Sequence, residues 1–235
     1  MASSEPKSIH TWFETDHNDI IGYSVDVCIA EFSANIPITW LYYPALQLYF
    51  TDHDEWAHGG LQWAGVVEFK ESSNKGINWG GGSSWAGYGG NGRTNCPFVW
   101  QVGQTYGYQA RRGNIDQNGL THWLFKVVDY AAGAEFMCGA VKTKSSFIKQ
   151  GMVFTETGYG VQCDSPPVRI EWSNPCFETP SGRGIPHRLV ANYNGTCPDE
   201  MSTNQDLVSA TPLHLFHETS CRRTIPPNRV LWPKT

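Results

Sequence analysis

The run Asp52-His53-Asp54-Glu55-Trp56-Ala57-His58 packs ionisable side chains and an indole into consecutive positions. Carboxylate oxygens suit calcium and imidazole suits zinc, which makes Asp52 and Asp54 candidate calcium ligands. His53 and His58 stand five apart in non-helical sequence. That is no recognised ligand spacing, and a solvated turn is the simpler reading. A second feature is the glycine-rich stretch from Gly76 to Arg93, which carries Trp79, Trp85 and Tyr88 with Asn78, Asn91 and Arg93. Sugar rings offer apolar C–H faces to aromatic rings and hydroxyls to amides and guanidinium groups. Glycine lets the backbone approach a ligand closely. These six residues are the candidate ligand-binding set. Self-packing of the loop is the structural alternative. A third, dispersed set is His58, Gln62, Tyr88, Arg93, Tyr106 and Arg111. Elimination from a uronate needs a neutraliser for the carboxylate, a base and an acid, and these side chains supply all three types. They are also ordinary furniture of a lectin-like groove.

Several other chemistries lack their residues. A retaining glycosidase needs paired carboxylates about 5 Å apart, but no E-x-D-x-E strand is present. Glu31, Glu68, Glu156 and Glu171 are isolated in sequence. There is no G-x-S-x-G elbow, P-loop or dinucleotide fingerprint. No cofactor is expected, with calcium the one open case.

The elements that must position these residues read as strands. Helical periodicity is almost missing, apart from short turns near Asn204 to Ala210. Strand-like runs bounded by Gly, Pro, Asn and Asp recur. They are Gly22 to Phe32, Ile38 to Phe50, Gly65 to Phe69, Thr105 to Arg111, Thr121 to Asp129, Ala134 to Val141, Gly151 to Thr157, Val168 to Trp172 and His187 to Tyr193. Gly76 to Arg93 reads as a long ordered loop. Many strands at short spacing predict an all-β fold, a two-sheet antiparallel β-sandwich of jelly-roll, concanavalin-like type. One domain over 1–235 is expected, with 1–18 and 206–235 as peripheral extensions.

Composition narrows the setting. Of 235 residues only 17% are charged and the net charge is -5, so a basic surface for nucleic acid is not expected. No 18-residue apolar stretch exists, so no membrane span is predicted. Ten tryptophans exceed what core packing normally needs, although any single one more often closes a core. None of the seven cysteines forms a CxxC pair. The last five, from Cys138 on, fall in loop-like sequence and read as disulfide staples of an oxidising compartment. Cys28, in an apolar strand, is the expected unpaired thiol. Asn194-Gly195-Thr196 is an N-glycosylation acceptor. A secreted glycoprotein is therefore expected, although Met1 to Lys7 carries no hydrophobic signal core.

His58-Gly59-Gly60-Leu61-Gln62, the Trp79 glycine stretch, Trp100-Gln-Val-Gly-Gln-Thr-Tyr106, Phe136 to Thr143 and Phe154-Thr-Glu-Thr-Gly158 follow one another in an order that resembles the extracellular family called domain of unknown function 3472. The likeness spans roughly Ile38 to Tyr193. It implies a concanavalin-type jelly roll and a setting among carbohydrate-active proteins, and it carries over no catalytic residue. Trp100, Gly103 and Tyr106 read as a bend before a strand. The expected function is lectin-like binding of a polysaccharide or other glycan. A polysaccharide lyase and an extracellular adhesion protein are the alternatives.

Overall fold

The computed structural model describes residues 6–51, 54–64, 74–84 and 86–233. The strands are β1 (Ser8–Glu14), β2 (Gly22–Glu31), β3 (Leu41–Phe50), β4 (Glu55–Ala64), β5 (Lys75–Ser83), β6 (Arg93–Pro97), β7 (Thr105–Ile115) and β8 (Thr121–Asp129). They continue as β9 (Ala134–Thr143), β10 (Ile148–Gly158), β11 (Arg169–Thr179), β12 (Gly182–Gly184), β13 (Arg188–Asn194), β14 (Ser202–Ala210), β15 (Leu213–Cys221) and β16 (Val230–Trp232). The first sheet has the order β16-β13-β1-β10-β3-β4-β5-β6. The second has the order β14-β15-β11-β2-β7-β8-β9, with β12 added to β11. All pairings are antiparallel, and the two sheets form a β-sandwich, as the strand pattern predicts.

Period-two burial explains most strands. In β2, Tyr23, Val25, Val27 and Ile29 point into the core, while Ser24, Asp26 and Cys28 point out. Trp79, Trp100, Trp123 and Trp172 are all buried in the core between the sheets. In β3 both faces are buried along most of the strand. Tyr43 and Ala45, with Leu41, Met152 and Phe154, form a second small apolar cluster on the outer face of the first sheet, flanked by Trp12 and Tyr49. That outer face therefore carries a floor of its own.

Several sequence expectations need correction. The segment near Asn204 to Ala210 is strand β14, not a turn, because Gln205 and Asn204 are buried in ladder contact with β15. The stretch from Gly76 is strand β5 as far as Ser83 and turns only afterwards. The described parts of 1–18 and 206–235 carry sheet strands rather than mere extensions. β1 lies inside the first sheet between β10 and β13, and β15 lies inside the second. Gly65 to Phe69 lies outside the described residues. One disulfide, Cys163–Cys197, is formed. Cys28 is unpaired, and so are Cys96, Cys138, Cys176 and Cys221.

Candidate functional site

The register of the first sheet assembles the site. Met152 pairs with Gln47, Gln47 with His58, His58 with Gly80 and Gly80 with Arg93. One row thus crosses β10, β3, β4, β5 and β6 on the outer face, since directly opposed residues share a face. Neighbouring rows hold Phe154 with Ala45, and Glu156 with Tyr43. Asn78 and Asn95 extend the floor at the β5–β6 end.

Two depressions in this face join at His58 and Glu156. One, of about 360 Å³, is lined by Leu41, Tyr43, His58, Gln62, Asn78, Tyr88, Arg93, Glu156 and Tyr159. The other, of about 460 Å³, runs past Trp56, Gln47, Tyr49, Met152 and Phe154 to His10, Ser8 and Asn194. Together they make an open groove across the sheet.

His58 stands at the junction inside a box of rings. Its ring centroid lies 5.3 Å from Tyr43, 5.0 Å from Trp56, 6.0 Å from Tyr88 and 5.7 Å from Phe154. Its Nε2 is buried without a hydrogen-bond partner. Burial, assisted by the Arg93 charge, pushes its pKa down to about 4, so His58 is neutral at physiological pH. Trp56 stacks on Tyr88 at 5.3 Å, and the Arg93 guanidinium lies over the Tyr88 ring at 5.6 Å. Asn78 is held from both sides: its Nδ2 donates to Asn95 Oδ1 at 2.7 Å, and its Oδ1 accepts the Tyr43 hydroxyl at 3.4 Å. Burial raises the Tyr43 pKa, so its hydroxyl keeps its proton. Burial likewise raises the Glu156 pKa above the usual carboxylate value.

The structure therefore brings together His58, Gln62, Asn78, Tyr88 and Arg93, five residues singled out from sequence. It separates the others. Trp79 is corrected: it points into the core with no exposed surface, stacks on Phe125 at 5.1 Å and donates to the Trp123 carbonyl. Asn91 is corrected too. It is buried in the loop after β5, where its amide donates to the Gly82 carbonyl and it meets Ser83 Oγ. Arg111 lies on β7 of the second sheet and pairs with Glu178 at 3.2 Å. Tyr106 is a buried prop whose hydroxyl accepts the Gln101 N–H. Trp85 and Asp52 lie outside the described residues. Asp54 is an exposed turn residue with φ +48°. Glu55, next to it, is buried and caps the turn after β9, accepting the backbone N–H groups of Lys144 and Ser145. Among the described residues no group of three or more His, Cys, Asp or Glu side chains is placed to hold a metal.

The site also contains residues that sequence reasoning left unassigned: Tyr43, Gln47, Tyr49, Phe154 and Glu156. Their signal was alternation, since Tyr43, Ala45, Gln47 and Tyr49 share one parity and Met152, Phe154 and Glu156 another. That parity becomes a site only once β3 is known to pair with β10.

A scaffold with this topology is known among solved proteins. A scytalido-glutamic peptidase crystallised with a peptide-based transition state analogue superposes with a TM-score of 0.54, covering 93% of this chain and 98% of that one at 8% identity. The chain shares the fold of that peptidase. SCP-B, a member of the eqolisin family of peptidases solved with the tripeptide Ala-Ile-His, matches over the same shares at 8% identity with a TM-score of 0.48. At such identity the likeness speaks to the sandwich and not to its chemistry. No protein-family model matches the sequence, and no curated protein does.

Proposed function

We propose that this protein is a secreted glycan-binding protein, and that the groove across the outer face of the first sheet holds a saccharide chain. The observation that carries the reading is the His58 box: a neutral imidazole with a buried, unpartnered Nε2, walled by aromatic rings and bordered by Arg93. A sugar hydroxyl satisfies the imidazole. The Trp56, Tyr49 and Phe154 side of the groove offers apolar surface to ring C–H faces. Arg93 favours an acidic sugar at that end. The acceptor Asn194 is exposed at the far rim of the groove, so an N-glycan there belongs to this proposal as well.

His58 also weighs against uronate elimination. A base works best with a pKa near the working pH, and about 4 is too low to draw a carbon-bound proton at neutrality. The enzymatic reading that a specific observation favours is hydrolysis. Glu156, with its raised pKa, touches both halves of the groove and can donate a proton to a leaving group. Because the solved structures of similar fold are peptidases, a peptide is the substrate to try beside a glycan.

The test is glycan-array binding followed by calorimetry on Trp56→Ala. Loss of a stacking ring should weaken binding by about 1–3 kcal/mol, roughly fivefold to somewhat over a hundredfold. Unchanged affinity would remove the groove from the proposal. Hydrolysis is read separately: Glu156→Gln should abolish product formation while binding persists. No product from the unaltered protein with either substrate class would leave binding alone.

A further inference from the structure

A second cavity, of about 660 Å³, opens on the outer face of the second sheet. Its volume falls in the range of small-molecule sites. It shares no lining residue with the groove, and its floor is formed by β2 and β7.

Its polar end is built around Asp26. The Tyr130 hydroxyl donates to Asp26 Oδ1 at 2.6 Å, and Asn174 Nδ2 donates to Oδ2 at 2.8 Å. Each carboxylate oxygen keeps acceptor capacity. Two backbone departures make this clasp. β11 slips register between Ser173 and Cys176, and Asn174 sits there at φ +53°. Such bulges re-aim a side chain, here onto Asp26. On β7, a Cβ at Gly107 would run into the Tyr130 hydroxyl. Glycine at that position is what lets Tyr130 reach the carboxylate.

The remaining wall fixes the class of ligand. Arg183 also lines the cavity and donates to Ser24 Oγ at 3.4 Å. One carboxylate and one guanidinium leave the lining without net charge, which suits a neutral ligand. Gln109 and Ser24 add amide and hydroxyl groups. The apolar surface comes from Tyr130, Trp232, Pro175, Pro212, Leu213 and Ile185. A neutral hydroxylated ring with apolar faces matches all three features. We infer that this cavity is a second saccharide site, taking a single neutral pyranose unit through Asp26 and Asn174, on the sheet opposite the groove. The inference does not rest on what the groove binds.

The experiment titrates the full chain with the methyl glycosides of glucose, galactose, mannose and N-acetylglucosamine, following the Trp232 indole N–H resonance and the heat of binding. At least one glycoside should bind and move that resonance. Ile185→Trp, at an exposed rim position, should plug the cavity, and Asp26→Asn should remove the carboxylate with little change in shape. Each should weaken that binding roughly tenfold or more, Asp26→Asn by the loss expected for a hydrogen bond to a charged group and Ile185→Trp by filling the space the ring would occupy. If Asp26→Asn proves poorly folded, Ile185→Trp gives the answer alone. Binding of none of the four, or equal affinity in Ile185→Trp, would overturn the inference. Binding that leaves the Trp232 resonance in place would overturn it too.

Discussion

At the scale of single residues, two histidines, His217 buried and His58 half-buried, set how the protein responds to acid. His217 sits fully buried between the sheets. Trp172 Nε1 donates to its Nδ1 at 3.3 Å, so Nδ1 is the acceptor and the ring proton sits on Nε2, 2.9 Å from Thr11 Oγ1. Thr11 in turn donates to Gln205 Oε1 at 2.5 Å. A second proton on Nδ1 would set donor against donor beside Trp172. Burial together with nearby His10 holds the His217 pKa well below the usual value, and His58 is pushed down to about 4. In both cases the unfolded chain binds the proton more readily, near pH 6.5. Their contribution is therefore fully present above about pH 6.5 and is lost as pH falls below it. Glu156 acts in the opposite sense. Its folded pKa is raised, so its contribution is present below the unfolded carboxylate value and fades as pH rises through the folded one. Urea midpoints measured from pH 7.5 to 4.5 should fall, and His217→Gln should flatten the fall. A midpoint independent of pH over that window would contradict the assignment.

At the scale of elements, the glycine strands explain where the aromatic rings went. Gly59 on β4 lies directly opposite Trp79 on β5. A Cβ at Gly59 would stand 2.6 Å from the Trp79 ring and 2.9 Å from Phe125. The indole lies across the glycine and stacks on Phe125 inside the core. Gly59→Ala should therefore destabilise the protein by about 1–3 kcal/mol, the cost of overpacking. Denaturant unfolding checks this, and a neutral result would mean that Trp79 repacks freely. Trp56, three residues earlier on β4, has the opposite parity and faces the groove. One strand thus carries both a core partner and a groove-lining ring, separated by the pleat.

At the scale of the whole molecule, the Cys163–Cys197 bridge ties the segment after β10 to the segment after β13, closing a sequence separation of 34 residues. Closing a loop of this length typically contributes about 2–4 kcal/mol. Cys163→Ser with Cys197→Ser should lower the melting temperature by several degrees. A melting curve unmoved by this double substitution would mean that the sheets alone hold the segments together. They do hold much: β1 and β16 both pair with β13, so the first and last strands meet at one edge of the first sheet.

Alternation and turn chemistry act within a few residues. They made the all-β class, the sandwich and strands such as β2, β7 and β8 legible in the sequence, and they picked out His58, Gln62, Asn78, Tyr88 and Arg93 by residue type. Strand β5 was not legible, because a glycine run carries no alternation and its burial is granted by neighbours distant in sequence. Trp79 and Trp56 look alike as residues. Only the pairing of β4 with β5 sends one into the core and leaves the other in the groove. Glu156 became part of a site when β10 was laid against β3, more than a hundred residues earlier in the chain. Local patterns decide which face a side chain takes relative to its neighbours. Long-range strand pairing decides which of those faces meet.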